Sequence, residues 1–271
     1  MNLELDNLHV LITGGSKGIG LACARGFLAE GARVTLVART METLLAAQTS
    51  LMAMVVNAGT ADTPSRVNVI AADLRDAADA ERAVEAVERD FGPVDVLVNS
   101  AGAAKRTPAA ELTAASWHDA MQAKFFTYIH VINPLIKKMG ERGHGAVVNV
   151  IGSGGKVAAV THLAGGSANA ALMLASAGLA AAYAGKGVRV NAVNPGLTLT
   201  ERLHEGMQAE ARHLGISLEE ALTRAKATRP LGRIAEPSEI ADAVVYLASK
   251  RASYITGAVV AMDGAVTPMV V

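Results

Sequence analysis

A glycine-rich turn near the start of the chain most constrains its fold. Residues 13–20 read TGGSKGIG and follow a short apolar run at residues 9–12. After the turn, apolar residues recur at helical spacing, at Leu21, Ala24, Phe27 and Leu28. This order predicts a strand, a tight turn and a helix. Because glycine lets the backbone approach a pyrophosphate and the N–H groups of a helix N-terminus attract anions, the segment predicts a dinucleotide site.

The composition fits one large α/β domain that acts on a small molecule. The chain has 271 residues, of which 51% are hydrophobic, and its 25 basic and 25 acidic residues give a formal net charge of zero. A chain of this length can bury a sizeable core, and the balanced charge argues against a nucleic-acid partner. We expect no metal site. The single cysteine, Cys23, lies on the apolar helix after the turn and is predicted to fill the core.

The first residues, MNLELD, carry acidic side chains and no long apolar run, so we expect no signal peptide and a cytoplasmic protein. Residues 163–185 are uncharged over about the length of a membrane span, but Ala, Gly and Ser dominate them. Small residues permit close helix packing, so this segment predicts an interior or subunit-interface helix rather than a membrane anchor.

Strand-like runs alternate with helical segments along the chain, which predicts a doubly wound parallel sheet, the Rossmann fold, as a single domain over residues 1–271. The later strand-like runs are residues 34–37, 67–70, 94–98, 146–150, 188–193 and 258–262. The helical segments are 41–54, 77–91, 115–139, 167–183 and 237–249. Residues 57–66 form a predicted polar loop. Residues 198–233 form a helical excursion after the sixth strand, and we expect it to cover the substrate as a lid.

Three further motifs accompany the glycine turn: NSAG at residues 99–102, NPGLTLT at 194–200, and a closing region from PLGR at 230–233 to ITG at 255–257. With them the chain resembles the classical short-chain dehydrogenase/reductase family over nearly its whole length. The resemblance implies a nicotinamide dinucleotide as cofactor and a homo-oligomer, either a dimer or a tetramer.

The resemblance also implies the residues that hold each part of the cofactor. They are Gly14, Ser16, Gly18, Ile19 and Gly20 at the pyrophosphate, Asp73 and Leu74 at the adenine, Asn99, Ala101 and Gly102 along the central wall, and Pro195, Gly196, Thr198 and Thr200 at the nicotinamide. NAD-specific members carry an acidic side chain at the end of the second strand, where this chain has Ala38 and Arg39. A cation there, with Lys17 in the glycine turn, favours the 2′-phosphate of NADP(H) over NAD(H).

The catalytic half departs from the family pattern, in which a serine, a tyrosine and a lysine act with an asparagine on the preceding helix. Aligned without gaps, those positions hold Gly152, Gly165, Asn169 and Lys124. Asn169 would keep only the ribose contact of the missing lysine. Carbonyl reduction needs an acid within hydrogen-bond reach of the nascent alkoxide, and glycine has no side chain to provide one.

Three residues are candidate substitutes for the missing acid. His162 lies three residues before Gly165, and histidine is the side chain that ordinarily titrates near neutrality. The ammonium group of Lys124 would stabilise negative charge on the substrate. Ser153 lies one residue past the expected serine. The first hypothesis is an NADP(H)-dependent oxidoreductase of a small carbonyl or alcohol with non-standard acid catalysis. A lyase or hydratase on the same scaffold, or a non-catalytic NADP(H)-binding protein, are the alternatives.

Overall fold

A parallel β-sheet forms the centre of the computed structural model, which describes residues 2–57, 66–102 and 104–268. Within these residues the sheet has seven strands in the order β3-β2-β1-β4-β5-β6-β7, and all neighbouring strands are parallel. The strands are His9–Thr13 (β1), Arg33–Ala38 (β2), Val67–Ala71 (β3), Val96–Asn99 (β4), Gly145–Val150 (β5), Val188–Pro195 (β6) and Val259–Met262 (β7). The predicted doubly wound Rossmann fold is confirmed. Most of the loop predicted at residues 57–66 lies outside the described residues.

Helices cover both faces of the sheet. They are Gly18–Ala29 (α1), Met41–Asn57 (α2), Ala77–Phe91 (α3), Ala114–Ala120 (α4), Thr127–Arg142 (α5), Leu163–Tyr183 (α6), Glu201–Leu214 (α7), Leu218–Ala227 (α8) and Pro237–Ala248 (α9). One apolar core joins α1, α2 and α9 to the sheet, and a second joins α3, α5 and α6 to the opposite face. Because both faces are covered, the central strands β1, β4 and β5 are buried along nearly their whole length rather than at alternate residues. Cys23 is fully buried in the first core, and burial raises the pKa of its thiol to about 12.

Two helix boundaries differ from the sequence prediction. The single helix predicted at residues 115–139 consists of α4, a π-helix at Met121–Phe126, and α5. The helix predicted to begin at residue 167 begins four residues earlier, with α6 at Leu163 and His162 as its N-cap. In both cases the difference affects side chains near the edge of the sheet where the candidate site lies.

Strand order reverses between β1 and β4, the point at which open α/β sheets bind ligands. There the glycine turn meets the segment that follows β4, because the Ser100 N–H donates to the Thr13 carbonyl over 3.2 Å. A Cβ on Gly14 would stand 2.8 Å from the Cα of Ala101, and Gly14 has φ +66°, so only glycine fits this approach.

The excursion after β6 contains α7 and α8, which begin at the side-chain caps Thr200 and Ser217. Nη2 of Arg202, on α7, donates to the Ala104 carbonyl over 3.3 Å and so ties the excursion to the loop after β4.

The segment Leu163–Lys186 is long and apolar enough to cross a membrane by length and composition. In the structure its helix, α6, packs against β6 and buries Ala168 and Leu172.

Candidate active site

The glycine turn forms a narrow cradle at the start of α1. A Cβ on Gly20 would collide with the Gly14 carbonyl, and Gly18 has the left-handed φ of +54°. The N-cap residue, Lys17, makes no side-chain hydrogen bond to the helix, and the first turn carries no acidic residue. The N–H groups of this turn are therefore available to an anion, and the residues fit a pyrophosphate. Ser16 and Ile19 lie half-buried within the same turn.

The central wall is a buried hydrogen-bond network between β1, β4 and β5. Thr13 Oγ1 donates to Asn99 Oδ1 over 3.2 Å, and Asn99 Nδ2 donates to Asn149 Oδ1 over 3.0 Å. Thr13 Oγ1 also accepts the N–H of Ala101 over 3.3 Å. A Cβ on Gly102 would collide with the carbonyl of Ala123, so glycine is required there. The network fixes the wall that is predicted to face the cofactor.

Two ion pairs involve residues that are predicted to contact the cofactor. The Asp73 carboxylate pairs with Arg75, which holds the pKa of Asp73 below its usual range, and the more distant Arg39 acts in the same direction. Leu74 is buried and Arg39 is exposed. Nζ of Lys17 is engaged by Glu201 Oε2 over 2.8 Å. Both side chains of this ion pair are largely exposed, and the contact of Lys17 with a 2′-phosphate stays a prediction.

The segment predicted to meet the nicotinamide runs from the end of β6 to the start of α7. A Cβ on Gly196 would stand 3.1 Å from the Cα of Asp263, which shows how closely this segment passes the end of β7. Thr198 is buried, and Thr200 caps α7 by accepting the N–H of Leu203. The Thr200 methyl group lies 3.3 Å from the place of a Cβ on Gly18, so the structure brings this segment against the glycine turn.

A pocket of about 360 Å³ joins the nicotinamide segment to the catalytic candidates. Pro195 and Gly196 line one side. The other side carries Gly152, Ser153, His162 and Asn169. The structure therefore brings together two of the three candidate acids, Ser153 and His162, with the segment predicted to hold the reacting end of the cofactor.

The imidazole of His162 lies against Gly165 in the first turn of α6. A Cβ on Gly165 would stand 2.7 Å from Nε2 and 2.8 Å from Nδ1 of His162. Nδ1 is buried and has no hydrogen-bond partner among the described residues. Burial lowers the pKa of His162, and the positive charges of Arg106, Arg202 and Lys124 lower it further. The ring thus occupies the volume that a side chain at position 165 would need.

Lys124 lies on the π-helix and is only 8% exposed. Its Nζ donates to Tyr128 Oη over 2.7 Å and to the Val150 carbonyl over 3.1 Å, at the end of β5. Burial and the charge of Arg202 lower the pKa of Lys124 to about 7. Lys124 does not line the pocket, in contrast to His162, so this candidate acid is not brought to the pocket surface.

Asn169 and Gly152 show a second close pairing. Asn169 is buried on α6, and its Nδ2 lies 3.3 Å from the place of a Cβ on Gly152. Ser153 lies in the one-turn 3₁₀ helix Ser153–Gly155 that follows.

Three residues at or beside the pocket were not predicted from the sequence. Arg106 and Arg229 line the pocket, and Tyr128 holds Lys124. The Lys124–Tyr128 spacing of four residues on a helix could have indicated the last contact. Single arginines in loops carry no local signal of what they face.

Comparison with known proteins agrees with this architecture. The family model described as enoyl-(acyl carrier protein) reductase matches residues 14–267. A D-threitol dehydrogenase of Mycolicibacterium smegmatis is 34% identical over 268 residues, which cover 98% of this chain and 95% of the relative.

Two solved structures are also similar. An L-sorbose reductase from Gluconobacter frateurii, complexed with NADPH and L-sorbose, superposes with a TM-score of 0.91 at 30% identity and covers 100% of each chain. An NADPH-bound short-chain oxidoreductase from Pseudomonas aeruginosa PAO1, described as containing an atypical catalytic center, has a TM-score of 0.85 at 30% identity, over 98% of this chain and 100% of the other. The chain therefore belongs to the classical short-chain dehydrogenase/reductase family and is an oxidoreductase of that family.

Proposed function

We propose that this protein is an NADP(H)-dependent oxidoreductase that interconverts a small carbonyl compound and its alcohol without the family's serine, tyrosine and lysine. The observation that carries the proposal is the imidazole of His162. It fills the volume beside Gly165 and lines the same pocket as Pro195 and Gly196. A titratable group thus stands where the family's phenol would be expected.

Arg39 supports the choice of NADP(H). It follows β2, where NAD-specific members carry an acid that binds the ribose 2′-OH. Its side chain is exposed and joins no ion pair among the described residues. A guanidinium binds a phosphate through paired hydrogen bonds, so it suits a 2′-phosphate. The L-sorbose reductase and the Pseudomonas aeruginosa relative both carry NADPH, which favours the same cofactor here.

The proton step follows from the position and pKa of His162. When bound, the dinucleotide supplies or accepts the hydride. In reduction, the protonated imidazole donates a proton to the oxygen of the nascent alkoxide; in oxidation, the neutral ring accepts the proton of the alcohol. Burial and nearby cations lower the pKa of His162, which favours the neutral ring as a base and makes the protonated ring a stronger acid.

Lys124 is not part of the pocket lining and would support this chemistry through its charge. Its Nζ is held by Tyr128 and Val150, and the charge it carries when protonated would stabilise a developing alkoxide. Because its pKa is about 7, this charge is present on part of the molecules at neutral pH. We assign Lys124 an electrostatic role and His162 the proton transfer, and Ser153 receives no role.

Steady-state NADPH oxidation with L-sorbose and a panel of small ketones tests the proposal. His162→Gln keeps a hydrogen-bonding side chain but cannot titrate, so we expect kcat to fall by about 10²–10⁴ with NADPH affinity unchanged. His118→Gln, an exposed histidine on α4, is the matched control and should keep full activity. Full turnover in His162→Gln would contradict the role of this residue.

The same experiment separates the alternatives. Turnover without a change in nicotinamide absorbance would indicate a lyase or hydratase, and tight NADPH binding without turnover of any substrate would indicate a non-catalytic binding protein.

We also infer a homo-oligomer, a dimer or a tetramer, with α6 at the subunit interface. The outer face of this helix consists of small residues around Leu174, whose side chain is 77% exposed. Small residues allow two such helices to approach closely. Light scattering of the purified protein would test the subunit number, and Leu174→Glu should reduce it.

A further inference from the structure

Two arginines lie at the wall of the pocket that contains His162. Arg106 comes from the loop after β4, and Arg229 comes from the end of the excursion, after α8. They reach one pocket from parts of the chain more than a hundred residues apart. The pocket therefore concentrates positive charge beside the proposed reacting group.

Few negative charges balance these arginines. Among the described residues, neither Arg106 nor Arg229 has an acidic side chain within ion-pair distance. Nε of Arg229 is buried and makes no hydrogen bond to a described residue. Asp263 is the acidic residue of the pocket wall, and its two oxygens already accept the N–H groups of Ala265 and Thr267 over 3.1 Å.

Two more cations lie close to the same pocket. Arg202 and Lys124 are both near enough to His162 to lower its pKa, as is Arg106. The exposed Glu205 is the acidic group that acts on Arg202. A guanidinium group without an acidic partner can bind an anionic ligand through charge-assisted hydrogen bonds.

We propose that the substrate carries an anionic group, a carboxylate or a phosphate, besides its reacting carbonyl, and that Arg106 and Arg229 bind it. This inference rests on the proposed function, because it takes this pocket as the place where the carbonyl reacts. The pocket volume of about 360 Å³ admits only a small substrate beside the nicotinamide segment.

The phosphates of the cofactor do not account for this charge. They are predicted to lie at the glycine turn, residues 13–20, where the Thr200 methyl group packs beside Gly18. None of the residues of that turn lines the pocket that holds Arg106 and Arg229. The two arginines thus line a pocket that is separate from the predicted phosphate site.

Calorimetric titration of the NADP⁺-saturated protein tests the inference without turnover, because the oxidised cofactor cannot reduce a ketone. Levulinate is compared with levulinamide, and dihydroxyacetone phosphate with dihydroxyacetone. We expect one charged probe to bind at least about tenfold more tightly than its neutral partner, and the pair that shows this identifies carboxylate or phosphate. Arg106→Gln and Arg229→Gln should each abolish the difference. Arg224→Gln, an exposed arginine of α8 paired with Glu220, should preserve it.

Equal affinities within both pairs, or no binding of either charged probe, would overturn the inference. Arg106 is exposed, so its variant should fold even if Arg229→Gln does not. The proposed function fails separately: if the charge-dependent difference is present but NADPH is oxidised with none of the ketones, the anion site stands and the oxidoreductase chemistry at this pocket does not.

Discussion

Replacing Gly165 with alanine tests the position of the His162 imidazole. A Cβ at position 165 would stand 2.7 Å from Nε2 and 2.8 Å from Nδ1 of that ring, whereas a Cβ on Gly178 of the same helix meets nothing within 4 Å. Alanine is favoured over glycine in a helix by about 0.8–1.0 kcal/mol, so Gly178→Ala should raise the free energy of unfolding by up to this amount. Gly165→Ala should gain part of this helix stabilisation, but its Cβ must displace the imidazole ring, and such overpacking typically costs about 1–3 kcal/mol. We expect Gly165→Ala to be about 0–3 kcal/mol less stable than the parent.

Urea denaturation of the two variants, alone and in a His162→Ala background, measures the effect. Without the imidazole, Gly165→Ala should stabilise the protein much as Gly178→Ala does, which gives a coupling energy between positions 162 and 165 of about 1–3 kcal/mol. The displaced ring should also lower kcat in Gly165→Ala and leave it unchanged in Gly178→Ala. If Gly165→Ala alone is as stable and active as Gly178→Ala, the His162 ring does not occupy the space beside Gly165.

Two further predictions concern Lys124 and Arg39. Burial lowers the pKa of Lys124 from 10.5 to about 7, so the unfolded chain binds a proton there that the folded protein releases between roughly pH 7 and 10. The free energy of unfolding should rise with pH over this window. Lys124→Met should make the free energy of unfolding less dependent on pH and raise it by more than about 1 kcal/mol near pH 7, as measured by urea denaturation across the range. An unchanged dependence on pH in this variant would contradict the lowered pKa of Lys124. Arg39→Asp should raise the Kd for NADPH at least about tenfold and lower that for NADH in calorimetric titration, whereas parallel losses would argue against a 2′-phosphate contact.

The sheet and the glycine turn could be predicted because their signals are local. All five residues of β1 are buried, and this shows in the sequence as an apolar run directly before the glycine turn. Gly14 and Gly18 have positive φ values that glycine adopts without strain, so the turn is also visible in the residue types themselves. The βαβ pattern and its right-handed crossovers then predict a parallel sheet that is covered on both faces.

The catalytic side depends on contacts that no local pattern contains. The Lys17–Glu201 ion pair joins residues 184 positions apart, and Arg106 and Arg229 line one pocket only once the chain is folded. The π-helix at Met121–Phe126 adds a residue to the turn that carries Lys124, which changes the direction of its side chain relative to a regular helix. Helical periodicity over residues 115–139 gives no sign of this insertion.

Gly152 and Gly165 each have a neighbouring side chain close to the position that their own Cβ would occupy. His162 fills the volume beside Gly165, and the Asn169 amide lies 3.3 Å from the place of a Cβ on Gly152. Protein interiors are close-packed, so the volume released by a small residue is taken by a neighbour. On the proposed alignment, a tyrosine at 165 would collide with His162 and a serine at 152 would press against Asn169. On this alignment the four positions form two close pairs, and larger side chains at 152 and 165 would fit only if the side chains of His162 and Asn169 moved or were replaced.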